Sequence, residues 1–291
     1  MDQGRFDTWL SSSSIIEVGG ALIVVLFLAA IGGTATRAVR DKRLGPAHAD
    51  TQEGYIVSAV LGLMALLLGF TFSLAVDRYD ARRARVLDSA NAVGTAYLQT
   101  QLLGEPHRSR ISSILVRYVD NAILFAKAKP GQVAPLAAQD DQILTELWQA
   151  TAAGFDSIRG IDFSSTYVAS INNMIDMDGA RRAVRRAHVP SQVFFVLFVY
   201  FGVTAGVLGY VLTGPKGRAM AFFLLVLMVL SLMLILDIDR PNVGTIREAQ
   251  TPMEDLQKSM KRWQPDLFDR WRTPVAAMPA PPRAGQEPPV P

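Results

Sequence analysis

The sequence contains no cysteine and only three histidines in 291 residues. The first absence excludes a disulfide framework, a thiol nucleophile, an iron–sulfur cluster and a cysteine-ligated zinc site. His48, His107 and His188 are far apart along the chain, and each falls at a helix boundary, where an exposed polar role is the ordinary one. No Gly-x-Ser-x-Gly, Walker loop or His-Glu-x-x-His occurs. No catalytic residue, metal ligand or cofactor is therefore assigned, and a membrane enzyme ranks last among the functional readings. A net charge of +3 is too small to imply nucleic acid, and the basic residues cluster near the ends of apolar runs.

Charge itself is missing from four long stretches. No Asp, Glu, Lys or Arg occurs in residues 18–36, 54–76, 189–215 or 219–236. A helix needs about 20 apolar residues to cross the roughly 30 Å hydrocarbon layer. Four such runs in a chain of this length leave too little polar sequence to cover them as the core of a soluble protein. The first run has the length of a signal peptide, but Asp2, Asp7 and Glu17 outnumber Arg5 around its start, where a secretory signal wants net positive charge. The expected fold is all-α, with four transmembrane helices and a helical extramembrane bundle inserted between the second and third. Residues 1–76 form the first hairpin, 77–188 the insert, 189–240 the second hairpin, 241–272 an amphipathic helix and 273–291 a tail. Seven of those last 19 residues are proline, so the tail is expected to be disordered; its PxxP pattern follows from composition alone.

The second run does not end at a helix breaker. No Gly or Pro intervenes between Gly69 and Gly94, and Tyr79, Val86, Ala90, Val93 and Tyr97 keep the spacing of a coiled-coil seam. One helix is expected from about Gly54 to Leu103, roughly 75 Å long. Further helices are expected after Pro106, from Asp140 to Phe155 with Leu144, Leu147, Trp148 and Thr151 facing inward, and from Ser164 to Ala187. Pro130-Gly131 should end the first of these, and Thr251-Pro252-Met253-Glu254 reads as a capping box.

Three constellations invite chemistry. Asp77 to Arg83 is either a snorkelling interfacial belt or an electropositive vestibule before a pore. Asn172, Asn173, Asp176 and Asp178 followed by Arg181, Arg182, Arg185 and Arg186 read as a solvated, self-neutralising face that also suits anionic lipid headgroups. Asp237 and Asp239 either bind a cation or mark a helix end compensated by Arg240 and stopped by Pro241. Orientation is set by basic residues near the crossings. Twelve lie on the side of the termini and insert against six in the two short loops, but four against six without the insert.

Leu68-Gly69-Phe70 followed by Arg78-Tyr79 resembles the pore helix of bestrophins, as does His188-Val189-Pro190 leading into an aromatic third crossing. The layout from about residue 15 to 262, with Leu236 to Gly244, is similar to bacterial bestrophin-like membrane proteins of unassigned function. The resemblance implies a pentameric, mainly anion-selective channel of the plasma membrane, multi-pass, with termini and insert cytoplasmic and small inorganic anions such as chloride as its cargo. It places a hydrophobic neck at Phe70, Leu66 and Gly62, and the basic run beyond it then puts Arg78 and Arg82 near an inner vestibule. Gly62 would leave one tier of that neck wide, Tyr79 and Asp80 stand where the family has paired tryptophans, and the acidic run of the calcium clasp is reduced to Asp237 and Asp239. The rival reading is a non-conducting membrane scaffold or signalling protein that acts through its helical bundle.

Overall fold

A computed structural model describes residues 9, 13–45, 51–240, 244–263 and 265–269; the tail expected from residue 273 onward lies outside the described residues. Among the described residues all regular secondary structure is helical, with no strand. The elements are α1 (Ile15–Leu44), α2 (Thr51–Thr100), α3 (His107–Lys127), α4 (Pro130–Phe155), α5 (Phe163–Arg186), α6 (Ser191–Val211), α7 (Gly214–Asp239), α8 (Thr251–Arg262) and the single-turn α9 (Pro265–Asp269). Four helical stretches, containing α1, α2, α6 and α7, are long and apolar enough to cross a membrane.

Local chemistry sets the boundaries. Ser14 accepts from the Glu17 amide while Glu17 Oε2 accepts from the Ser14 amide, so the start of α1 satisfies two orphan donors reciprocally. Pro190 precedes α6, where its fixed φ does no harm. Two expected boundaries differ. Pro130 opens α4 at its first position instead of merely closing α3, so α4 begins ten residues before Asp140 and carries Pro135 within its second turn. The capping box at Thr251 does not form: Gln250 is the N-cap, and the Glu254 carboxylate pairs with Lys127 at 2.7 Å.

Two cores follow. Buried residues of α1, α2, α6 and α7 pack together, among them Leu26, Met64, Ala75, Phe194, Phe201, Leu208, Leu225 and Leu232. Backbones come very close where α1 meets α6: a Cβ on Gly33 would collide with the Gly206 carbonyl, and one on Gly209 with the Ala30 carbonyl. Only glycine permits that approach, the small-residue device of membrane helix pairs. The second core gathers α3, α4, α5 and α8 around the far half of α2, with Val93, Ala96, Ile111, Leu115, Tyr118, Leu147, Tyr167 and Met174 almost wholly buried. The seam expected on α2 is realised at Val86, Ala90, Val93 and Tyr97, with Tyr79 half-buried. Trp148, expected to face inward, is 45% exposed beside the buried Leu147.

α2 joins the two cores without a break, spanning 50 residues and so about 75 Å. Nothing in the backbone marks a boundary at residues 76–77.

Candidate functional site

The long helix α2 turns one face toward the rest of the chain and leaves another uncovered. Met64, Thr71 and Ala75 are buried, whereas Leu66 is 51% and Phe70 66% exposed. Gly62, Gly69 and Ser73 are exposed on the same side, and a Cβ on Gly62 or Gly69 would meet nothing within 4 Å. Among the described residues, therefore, no helix packs against Gly62. The three residues assigned to the neck lie four apart, on one side of the helix. An isolated subunit presents them as an open apolar stripe.

The stripe continues past the apolar run and changes character. At about 100° per residue, Asp77 falls only about 20° round the helix from Phe70, and Asp80 about 80° away on the Gly62 side. Both aspartates are exposed. Arg78 falls about 80° the other way from Phe70 and is half-buried. Arg82 lies elsewhere, about 120° from Phe70, and its side chain is only 2% exposed. Its Nη2 donates to the Ile238 carbonyl at 2.6 Å, and its Nε lies 3.8 Å from Glu248 Oε1. Arg82 is thus a strut between α2 and the end of α7. An arginine at that angle points inward by helix geometry alone, which the run of basic letters from Arg78 to Arg85 conceals.

The two carboxylates at the end of α7 diverge. Asp237 accepts from both the amide and the hydroxyl of Thr245, closing a turn in which a Cβ on Gly244 would strike the Asp237 and Arg240 carbonyls. Asp239, 3% exposed, accepts from the Val189 amide at 2.9 Å, and its own carbonyl lies 2.9 Å from His188 Nδ1. Each carboxylate is committed to a chain crossing: Asp237 to the segment after α7, and Asp239 to the segment between α5 and α6. Among the described residues no group of three or more His, Cys, Asp and Glu side chains could hold a metal ion. Arg240 donates to the Ser13 carbonyl at 3.0 Å, tying the start of α1 to the same place.

The arginine-rich end of α5 departs from the solvated face expected for it. Asp178 is fully buried, accepting from Tyr118 Oη at 2.8 Å and Arg181 Nη2 at 3.0 Å, with Arg182 Nε 2.6 Å from its other oxygen. The helix-spaced pairs form as expected but stand inside the bundle. Nearby, Asp140 is 3% exposed and accepts from Asn121 at 3.0 Å. Burial pushes its pKa up to about 6, helped by the charge of Asp178 and opposed by Asn121, Arg181 and Arg182. Sequence reasoning missed Glu248, which is 8% exposed and faces Arg82 and Arg185. A single acid in a polar linker carries no periodic signal that would find it.

Comparison with known proteins gives a consistent family and fold. The model of the Bestrophin-like domain matches residues 21–253. A bacterial bestrophin homologue from Klebsiella pneumoniae, solved by zinc phasing, superposes with a TM-score of 0.59 at 17% identity, covering 84% of this chain and 98% of that one. A point variant of the Klebsiella homologue gives 0.60 at 17% identity over 85% and 99% of the two chains. A structure described only as a membrane protein gives 0.61 at 16% identity over 85% and 98%. No curated protein matches this chain.

Proposed function

This chain belongs to the bestrophin-like family, and from that premise we propose that it is a homo-oligomeric ion channel with its pore along α2. The four apolar helices cross the plasma membrane, with α3, α4, α5 and α8 as an extramembrane bundle on the cytoplasmic side, together with both termini. Phe70, Leu66 and Gly62 of each copy face a shared axis and form the neck, with a pentamer as the assembly the resemblance implies. The observation that carries this reading is the stripe from Gly62 through Leu66 and Phe70 to Ser73, which no other described residue covers. Apolar side chains ringed about an axis gate ions by dewetting.

The sign of the ion is a separate matter. Resemblance implies small inorganic anions, and Arg78 flanks the inner mouth in keeping with that. Asp77 and Asp80, however, stand on the open face while Arg82 is withdrawn into the chain. Rings of carboxylates favour cations, so the face itself is better matched to cations than to chloride. The Asp237–Asp239 pair is proposed as a hinge lock between α7 and its neighbours, able to bias gating through the chain crossings it fixes.

Salt flux from proteoliposomes tests the channel reading, with chloride and potassium release followed separately and Phe70→Ala run beside the parent. Flux in the parent that rises in the variant is the expected result. A folded, inserted protein that passes neither ion would overturn it and favour the scaffold reading, in which the unbroken α2 relays membrane events to the bundle.

A further inference from the structure

At the end of the membrane helices away from the bundle, α1, the start of α2 and α6 leave a groove of about 420 Å³, the size of a small-molecule pocket. Its floor lies where the backbones of α1 and α6 run closest, at Gly33 and Gly206, and the side chains missing there leave the space. Ile56, Val203 and Val207 wall it. All five residues fall within charge-free runs, so the groove stands at hydrocarbon depth.

Charge begins at its rim. Arg37, 8% exposed, donates from Nη1 to Glu53 Oε2 at 2.8 Å and to the Tyr210 carbonyl at 3.1 Å, so the Glu53 carboxylate at the end of the groove is already answered. Arg40 is not held in this way. It lies two turns beyond Gly33 and about 20° round α1 from it, in line with the groove. Asp41 Oδ1 stands 3.7 Å from Arg40 Nη1, too far for a hydrogen bond, and Nη1 has no hydrogen-bond partner among the described residues. Lys42 and Arg43 follow, both exposed.

Two features of this place select its occupant. The apolar walls offer water no partners, and a void of this size left empty forfeits the contacts of its lining. The charge at the rim is one-sided: residues 37–53 and 212–218 carry six Lys and Arg against three Asp and Glu. A second copy of the chain would bring the same excess to the same level. An anionic phospholipid brings the opposite sign.

We propose that the groove binds an anionic phospholipid, with one acyl chain laid over Gly33 and Gly206 and the phosphate on Arg40. The lipid wedges the start of α2 against the α1–α6 pair. The site needs only that the apolar helices cross a membrane, so it stands apart from the channel reading.

Melting of the purified, delipidated full-length chain in detergent tests this, with phosphatidylglycerol or phosphatidylcholine of the same chains added stepwise. The expected result is a saturable rise in melting temperature with phosphatidylglycerol at a midpoint well below that of phosphatidylcholine. Val203→Trp fills the groove from a wall position that is 57% exposed and should abolish the saturable rise. Arg40→Gln should raise the phosphatidylglycerol midpoint by about tenfold and leave that of phosphatidylcholine nearer its own. Leu230→Trp, at a similarly exposed position on α7 outside the groove, should respond as the parent does. Equal responses in the parent, Val203→Trp and Leu230→Trp would overturn the site. Equal midpoints for the two lipids in the parent would overturn the headgroup assignment. A smaller assembly in Val203→Trp, with no response of the parent to either lipid, would overturn the lipid and make the occupant a second copy. If Val203→Trp fails to fold, the headgroup selectivity lost in Arg40→Gln decides alone.

Discussion

The two halves of α2 have similar lengths and opposite needs. Around its far half the chain supplies its own partners: Val93, Ala96 and Tyr97 are at most 3% exposed, and their neighbours come from α3, α5 and α8. Around its near half Leu66 and Phe70 stay more than half exposed, and large apolar residues of α1, α6 and α7, such as Val24, Leu28, Val203 and Phe223, are open too. In water such exposure would drive association. In a bilayer, lipid answers the outer helices, and the α2 stripe is left for copies of the chain or for a pore. The bundle is therefore covered within one subunit, and on the channel reading proposed above the membrane half is completed by further copies of the chain.

Substitutions should separate the two halves by magnitude. The largest effect belongs to Asp178→Ala, which strips the partner from buried Arg181 and Tyr118 and from the partly buried Arg182. Breaking a buried pair from one side costs about 3–5 kcal/mol, so the bundle should melt well below the parent in thermal denaturation followed by circular dichroism. An unchanged melting temperature would mean that the network is open to water.

Next comes a matched pair of phenylalanines. Phe201→Ala opens the interior between α1, α6 and α7, where the ring is fully buried, and should cost about 3–5 kcal/mol. Phe70→Ala, on the open stripe, should cost about 0.5 kcal/mol or less within the subunit and change flux instead. Equal losses of stability would show the stripe to be a packed interface with no lumen.

The bundle has a pH-sensitive point. Asp140 titrates at about 6 against an ordinary aspartate value of 3.8. A raised acid contributes most below its unfolded value and loses that contribution as pH rises through its folded one. Each pH unit between the two values is worth about 1.4 kcal/mol. The bundle should thus be relatively favoured near pH 4 and lose on the order of 1–3 kcal/mol by pH 7. Asp140→Asn, which can still accept from Asn121, should flatten that slope and stabilise the protein at pH 7. Melting curves at pH 5 and 7 measure it, and a slope unchanged in the variant would remove Asp140 from the account.

How much of this was legible in the letters depended on periodicity. The four charge-free runs and the coiled-coil seam on α2 are repeated signals, and each became a helix where expected. Single-residue events were not legible. Pro130 both ends one helix and starts the next, and the sequence reads the same for either role. Asp178 sits at ordinary ion-pair spacing, and only the third dimension shows Tyr118 beside it. Arg82 looked like a vestibule residue because its neighbours in sequence are basic, although its angle on the helix already separated it from Phe70. Glu248 stands in a non-helical segment, where no period relates it to Arg82, 166 residues earlier.

The smallest effect on stability should come from Asp77→Asn, and it is the sharpest test of the open half. Asp77 is exposed, so its loss should change melting by about 0.5 kcal/mol or less. If the α2 stripe faces a lumen, the same change removes one carboxylate per subunit from the inner mouth, beside Arg78. A ring of fixed charge acts on every ion that passes, and its influence grows with low ionic strength as the Debye length lengthens. Reversal potentials under a potassium chloride gradient should therefore shift toward the chloride value in Asp77→Asn, more at low salt than at high. A variant that conducts with the parent's reversal potential would place Asp77 away from the ion path. The stripe would then be a lipid-facing or packed surface, and the difference between the two halves of α2 would lie in what covers them and not in what passes.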